Sequence, residues 1–145
     1  MEQIIKSLDS EIIYLNHKII ENKLMIYGKL ERTQASCPYC KMGSSRVHST
    51  YKRTFRDLPV SIYETVIVLT IQKFFCENEN CRYTTFTFPL LFAKNHARKT
   101  IRLEDKILSL SLEISSKNAS KQLKKEKIDI SKSTICRMIK KKKFE

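Results

Sequence analysis

Two close pairs of cysteines constrain the fold of this chain more than any other feature. The pairs are Cys37-x2-Cys40 and Cys76-x4-Cys81, with 35 residues between them. Tetrahedral zinc takes four soft ligands, and two cysteines this close together can place both thiolates on one side of the ion. The spacing therefore predicts one structural Zn²⁺ held by all four, with no coordination position left for a catalytic water.

Other interpretations of the cysteines stay open from the sequence. The pairs can be unrelated reduced thiols, although exposed polar turns are poor places for a free cysteine. A redox CxxC motif is the functional alternative, but the helix expected after such a motif is not predicted after Cys40. His48 falls within a predicted strand and is expected to be a surface histidine. The fifth cysteine, Cys136, is expected to be a partly buried structural thiol.

The segments around the cysteine pairs have the composition of β-strands. Ile12–Leu30 breaks at Glu21-Asn22-Lys23, which predicts two short strands joined by a turn. Val47–Phe55 predicts an exposed strand that Asp57-Leu58-Pro59 stops. Tyr63–Phe75 predicts the strongest strand, because its centre is β-branched almost throughout. The last two strands can run out and back as a hairpin, which brings the cysteine pairs together as in a zinc ribbon.

In the last third of the chain the apolar period becomes that of α-helices. Apolar residues at spacings of four, three and four predict a helix over Arg102–Ser115. Two shorter helices are predicted at Asn118–Lys127 and Ser131–Lys142, separated by a break of three or four residues, with Ser131 as the N-cap of the second. Three helices of this size have the proportions of a helix-turn-helix unit.

The predicted fold class is therefore α+β, with three parts. A strand-rich N-terminal segment (1–34) precedes a small β-rich, zinc-ribbon-like domain (35–93), and a three-helix helix-turn-helix unit (94–145) follows.

Charge is distributed unevenly over these parts. The formal net charge of +13 is concentrated in residues 94–145, which carry sixteen basic and six acidic side chains, whereas residues 1–36 carry five of each. Such a segment repels itself unless a polyanion neutralises it, and neutralising phosphates releases condensed counter-ions. Double-stranded DNA is thus the predicted partner, and a generic basic helical hairpin that packs on another protein is the alternative.

The second helix of a helix-turn-helix pair places its N-terminal residues nearest the base edges. Arg137, one turn into that helix, can bond a guanine bidentately, and the hydroxyls of Ser133 and Thr134 can serve bases or phosphates. The lysines of the preceding helix would face the backbone and position the unit. The predicted DNA contacts are Lys121, Lys124, Lys125, Lys132, Ser133, Thr134, Arg137, Lys140 and Lys141.

Five motifs follow one another along residues 35–142. They are Cys37-Pro38-Tyr39-Cys40, Arg53-Thr54-Phe55-Arg56-Asp57-Leu58-Pro59, Lys73-Phe74-Phe75-Cys76 with Cys81, Arg98-Lys99-Thr100, and Ser131-Lys132-Ser133-Thr134-Ile135-Cys136-Arg137. In this order they resemble the N-terminal half of bacterial insertion-sequence transposases of the IS-L-three class. The chain departs from the family where Lys41 and Lys127 occupy the positions of turn glycines, and where Phe88 stands in place of a frequent acidic residue.

This resemblance implies a DNA-binding protein that recognises the terminal inverted repeats of its element. Transposases of the family carry a downstream RNase-H-like domain whose carboxylates hold two metal ions, whereas the four aspartates of this chain are scattered over different predicted elements. We therefore expect this chain not to be catalytic. It is expected to be the DNA-recognition half of a transposase that was truncated, frameshifted or kept as a small binding protein. A stand-alone zinc-binding transcriptional regulator, a repressor of transposition and an interaction module that forms a homodimer are the alternatives.

The expected location is cytoplasmic and nucleoid-associated. No stretch approaches the roughly 18 apolar residues of a membrane span, and the first residues do not have the basic start of a signal peptide.

Overall fold

The computed structural model describes residues 1–143 and has a mixed α+β fold. The helices are α1 (Glu2–Lys6), α2 (Ile101–Glu113), α3 (Ser116–Lys125) and α4 (Lys132–Lys143). The strands are β1 (Ile13–Ile20), β2 (Lys23–Leu30), β3 (Ala35–Ser36), β4 (Gly43–Ser44), β5 (Val47–Val60), β6 (Tyr63–Phe75) and β7 (Thr85–Phe86). The last two residues of the predicted unit 94–145 lie outside the described residues.

Most strands belong to one sheet, in the order β1-β2-β6-β5, with β7 beside the end of β6. The pairs β1–β2 and β5–β6 are antiparallel hairpins, as predicted, and β2 lies parallel to β6. The N-terminal segment therefore shares its sheet with strands of the predicted zinc-ribbon-like domain. The division of the chain into three domains stays a prediction.

The expectation that Asp57-Leu58-Pro59 stops the strand after Phe55 is wrong. Strand β5 continues to Val60, with a register shift in its pairing to β6 between Asp57 and Val60. A proline is tolerated here because β5 is an edge strand and the register shift removes the need for a ladder hydrogen bond. The longer strand carries Asp57 beneath the helices.

One face of the sheet is covered by α1 and by the segment that follows β7. The buried side chains between them include six from β2 and β6 and several phenylalanines: Leu24, Ile26, Leu30, Ile67, Leu69, Ile71, Phe55, Phe74, Phe86, Phe88 and Phe92. Gly28 allows this packing, since a Cβ there would lie 2.6 Å from Ile5 Cδ1 and 3.0 Å from Ile12 Cγ2. The N-terminal residues are thus part of the core of the sheet.

The three C-terminal helices have a second, smaller core. Its buried members are Leu103, Ile107, Ala119, Leu123, Ile128, Ile130 and Ile135, and Leu58 of β5 packs against them. The amide of Thr134 donates to the Ser131 hydroxyl at 3.2 Å, which confirms Ser131 as the N-cap of α4. The predicted extension of the first helix to Ser115 is wrong, because α2 ends at Glu113 and Ser115 caps α3 instead.

A buried ion pair joins the sheet to the helices. Asp57 is 3% exposed and accepts hydrogen bonds from Thr100 Oγ1 at 2.8 Å and from Arg102 Nε at 2.7 Å. Arg102 also donates to Ser7 Oγ beside α1 at 2.7 Å. The hydrogen bond to Asp57 raises the pKa of Arg102, although partial burial opposes this. These contacts fix the start of α2 against both α1 and β5.

No helix within residues 1–143 has the length and apolar character needed to cross a membrane.

Candidate metal centre and nucleic-acid interface

The first cysteine pair lies on a tight turn between β3 and β4. The amide of Cys37 donates to the Met42 carbonyl at 2.9 Å, and the amide of Lys41 donates back to the Cys37 carbonyl at 2.8 Å. Lys41 has a φ of 67°, a left-handed conformation that favours glycine. Lys41 therefore adopts the backbone conformation that a turn glycine would take at this position.

The second pair begins directly after β6. The amide of Cys76 donates to the Thr84 carbonyl at 2.9 Å, which extends the pairing of β6 with β7. Asn78 then organises the turn, because its side-chain oxygen accepts from the Asn80 amide and its carbonyl accepts from the Cys81 amide, both at 3.0 Å. The polar residues between the two cysteines form the predicted turn.

The fold brings the four sulfur atoms together. The Sγ–Sγ distances are 4.0 Å for Cys37–Cys81 and 3.6 Å for Cys40–Cys76, and all four sulfurs lie within 4.8 Å of one another. With Zn–S bonds of about 2.3 Å, the edge of a tetrahedron of sulfurs is about 3.8 Å, whereas a disulfide needs about 2.05 Å. The four sulfurs thus have the spacing of a zinc site and not of disulfides.

The metal-free thiols differ in acidity. A hydrogen bond from the Met42 amide lowers the pKa of Cys40 to about 6. The Asn78 amide favours the thiolate of Cys76, but burial and the neighbouring sulfurs outweigh it and raise the pKa of Cys76 to about 12. The pKa of Cys81 is also raised. Four thiolates at these distances repel one another, and a divalent cation removes that repulsion.

Two tyrosines pack against each other beside the metal centre. Tyr39 and Tyr83 stack with ring centroids 3.7 Å apart, one from each cysteine turn. His48 is exposed, contacts Ser49 and Phe75, and lies outside the cysteine cluster, so its prediction as a surface histidine is confirmed. Cys136 is half-buried on α4, as predicted, and takes no part in the cluster.

The side chains predicted to contact DNA lie on α3 and α4. Eight of the nine are exposed, and Thr134 is half-buried with its hydroxyl 2.9 Å from that of Ser131. Within residues 1–143, none of the lysines or the arginine of this set forms an ion pair with a carboxylate. Their positive charge is therefore available to an external partner.

The connection between α3 and α4 is longer than the predicted three or four residues. It spans residues 126–131 and is closed by the Ile128 amide, which donates to the Leu123 carbonyl at 2.8 Å. Lys127 has a φ of 65°, in the left-handed region that favours glycine. The hydroxyl of Ser120 donates to the Ile130 carbonyl at 2.6 Å and ties the end of the connection to α3.

The sequence interpretation missed the residues that attach the helices to the sheet. Asp57 and Thr100 lie in two of the five motifs, and the structure places these motifs side by side. The Arg56 amide donates to the Arg98 carbonyl at 2.8 Å, and the Thr100 amide donates to the Arg56 carbonyl at 2.9 Å. The sequence showed that both motifs are present, but only the fold shows that residues 53–59 and 98–100 are joined by backbone hydrogen bonds.

Comparison with known proteins supports the metal centre. Residues 33–81 match the family described as the zinc-finger of transposase IS204/IS1001/IS1096/IS1165. The matched residues include all four clustered cysteines, so this part of the chain is a zinc-ribbon domain of the ISL3 type with a structural Zn²⁺ site. The helices α2–α4 lie outside the match. No curated protein and no solved structure gives a significant match to the chain.

Proposed function

We propose that the chain is the DNA-recognition region of an ISL3-type transposase and binds double-stranded DNA at the ends of an insertion sequence. One observation carries the proposal: a zinc ribbon of transposase type is joined, through Asp57 and Arg102, to a helical unit with an exposed cationic surface. Recognition of terminal inverted repeats, a helix-turn-helix mode of binding and association with the nucleoid are parts of this proposal. The residues described here bind and position DNA and do not catalyse strand transfer.

The roles of the helical side chains follow from their positions. Arg137 is exposed one turn from the start of α4, where a guanidinium can reach the O6 and N7 atoms of a guanine. Lys132 and Ser133 lie nearer the start of the same helix. The α3 lysines Lys121, Lys124 and Lys125, together with Lys140 and Lys141 of α4, neutralise phosphates and set the register without reading sequence.

Duplex binding tests the proposal directly. The zinc-loaded chain is titrated with a duplex from an element end and with a scrambled duplex, across a series of salt concentrations. Arg137→Ala should weaken binding of the element-end duplex by about 1–3 kcal/mol and reduce the sequence specificity at one base position. Lys124→Ala should weaken both duplexes equally and reduce the salt slope by about 0.9. Lys23→Ala, on β2, is the control and should change neither. Absence of duplex binding by the wild-type chain would refute the proposal.

A regulator or a repressor of transposition would use the same two modules. The element-end duplex separates these functions, because a transcriptional regulator prefers a promoter sequence to a terminal repeat. Protection mapping on DNA that contains both sites shows which one the chain occupies first.

A homodimer is supported by the edge strand β1. Four of its apolar side chains, Ile13, Leu15, Ile19 and Ile20, are 45–50% exposed, and within the described residues no strand pairs with its outer edge. We propose that a second copy pairs there, which would present two helical units to an inverted repeat. Light scattering should report a dimer for the wild-type chain and a monomer for Ile19→Lys, while a wild-type monomer at high concentration would refute the pairing.

A further inference from the structure

A groove lies between the edge strand β5 and the segment that leads from β7 to α2. Its volume is about 1170 Å³. The walls include Pro38 and Tyr39 of the first cysteine turn at one end, and residues 93–98 at the other. The groove is separate from the exposed surface of α3 and α4 described above, and it extends from the metal centre towards the helices.

The side chains that line this groove are strongly cationic. Its charged lining residues are Arg53, Arg56, Lys73, Lys94 and Arg98, with no aspartate or glutamate among them. Arg56 pairs with Glu64 and Lys94 with Glu104, both outside the lining. Within residues 1–143, Arg53, Lys73 and Arg98 form no ion pair, so at least three positive charges of the groove are not neutralised by the protein itself.

These cations are spread along the groove and do not converge on one point. Lys73 lies opposite Ser49 in the register of the hairpin, and Arg56 is seven residues further along β5. At a rise of about 3.3 Å per residue this corresponds to about 23 Å. One small anion contacts only a fraction of that length. A regular polyanion, such as a nucleic acid strand with a phosphate at every nucleotide, can contact all of it.

The groove is also attached to the helical unit by a hydrogen bond. Arg53 Nη2 donates to the Ala97 carbonyl at 3.0 Å and holds the wall of the groove in place. Arg56 Nη2 donates to the Asp129 carbonyl, in the connection between α3 and α4, at 2.7 Å. A DNA molecule bound by α4 therefore has a second cationic surface held at a fixed position beside the connection that orients α4.

We propose that this groove binds the sugar–phosphate backbone of the DNA segment next to the one that α4 contacts. The inference rests on the proposed function, because it assigns a second surface to the same bound DNA. Lys73 and Arg98 contact phosphates, while Arg53 and Arg56 shape the groove through their hydrogen bonds to backbone carbonyls. The zinc ribbon then takes part in binding as well as in stability.

Two duplexes and two pairs of substitutions test the groove. The short duplex covers only the footprint of the helical unit, and the long one extends beyond it on both sides. The variant Lys73→Gln with Arg98→Gln should bind the long duplex roughly 10-fold or more weakly at about 0.1 M salt and reduce its salt slope by about 1.8. It should bind the short duplex like the wild type. The control pair Lys23→Gln with Lys29→Gln, on β2, removes the same charge and should leave both duplexes unaffected.

The outcomes separate this inference from the proposed function. If Lys124→Ala and Arg137→Ala weaken binding while the groove variant matches the control pair on the long duplex, the groove proposal is overturned and the helical one stands. If the groove variant loses binding to polyglutamate but not to the long duplex, the groove takes an acidic protein instead, which also overturns it. Thermal unfolding of the groove variant should match the wild type, because within residues 1–143 neither Lys73 nor Arg98 makes an ion pair. The control pair should lose less than about 1 kcal/mol, since it removes only the exposed pair of Lys29 with Glu31.

Discussion

The sheet and the helical unit of this chain differ in how they are stabilised. The core of the sheet contains sixteen buried residues, with five phenylalanines among them, and has a zinc site at its end. Within residues 1–143, the helical core contains seven buried residues, all aliphatic, and it lies in the part of the chain with sixteen basic side chains. A core this small supplies little stability, and the mutual repulsion of the lysines reduces it further.

The difference shows how a cationic surface is kept folded. The helices do not rely on their own core alone, because Asp57 and Arg102 connect the start of α2 to β5 and Ser7 connects it to α1. Leu58 adds an apolar contact from β5 to the helical core. The sheet thus serves as the stable support, and the helices retain exposed charge for a partner.

The largest effect is expected from loss of the metal. Cys81→Ser removes one zinc ligand, and structural zinc binding contributes about 10–16 kcal/mol in small zinc domains. The variant should contain less than one zinc ion per chain and be cleaved rapidly by protease around the cysteine turns, while far-ultraviolet circular dichroism still shows the helices. Cys136→Ser is the control, since that thiol lies outside the cluster. Loss of the helices together with the metal would contradict the interpretation that the core of the sheet, and not the metal, supports the helices.

The next largest effect is expected at the link between the two regions. Asp57→Ala removes the buried acceptor of Thr100 and Arg102. Because the Arg102 side chain is 33% exposed and can be hydrated, the loss should be about 1.5–3 kcal/mol. Urea unfolding should change from one transition to two, because the helices unfold before the sheet. The exposed pair of Lys106 with Glu126, at 3.2 Å, provides the matched control, and Lys106→Gln should cost less than about 1 kcal/mol. A single unfolding transition with unchanged stability in Asp57→Ala would show that the Asp57–Arg102 pair does not stabilise the helices.

Much of this organisation could be predicted from the sequence, because the signals are local. The period of apolar residues predicted the hairpins and the three helices, and the cysteine spacing predicted the ligand set. The predicted end of β5 failed because Pro59 was interpreted by its local preference, whereas edge pairing with β6 overrides that preference.

The link between the regions could not be predicted in the same way. Asp57 and Arg102 are 45 residues apart, and neither has a local pattern that indicates burial. The cationic groove is equally non-local, since Tyr39, Lys73 and Arg98 come from three separate segments. Sequence periodicity identifies elements, but contacts between distant elements depend on how these pack.

The zinc site should respond to pH in a direction set by its thiols. Cys40, with its pKa lowered to about 6, is already a thiolate at neutral pH, whereas the raised pKa values of Cys76 and Cys81 keep these two protonated without metal. Zinc binding should therefore release at least two protons near pH 7.5, so that affinity falls at least about 100-fold per pH unit on acidification.

Calorimetry in two buffers of different ionisation enthalpy counts the protons released. Because the pKa of Cys40 is lowered in the folded protein, its thiolate stabilises the metal-free ribbon at alkaline pH. This stabilisation is lost as the pH falls through about 6. The circular dichroism signal of the helices should be the same with and without zinc over this pH range. Release of fewer than two protons would mean that the metal-free cysteines are already ionised.

The smallest effect is expected at the two lysines with left-handed backbones. The left-handed backbone at Lys127 costs a non-glycine residue about 1–2 kcal/mol, and Lys127→Gly removes that cost. Glycine also adds entropy to the unfolded chain, which offsets part of the gain. The free energy of unfolding of the helical unit should therefore rise by about 0.5–1 kcal/mol. Lys127→Ala keeps the unfavourable φ and should give no gain. Lys41→Gly makes the same change beside the metal, where zinc binding dominates stability, and its gain should appear only after chelation. Equal gains at both sites in the zinc-loaded protein would mean that the metal does not control the stability of the ribbon.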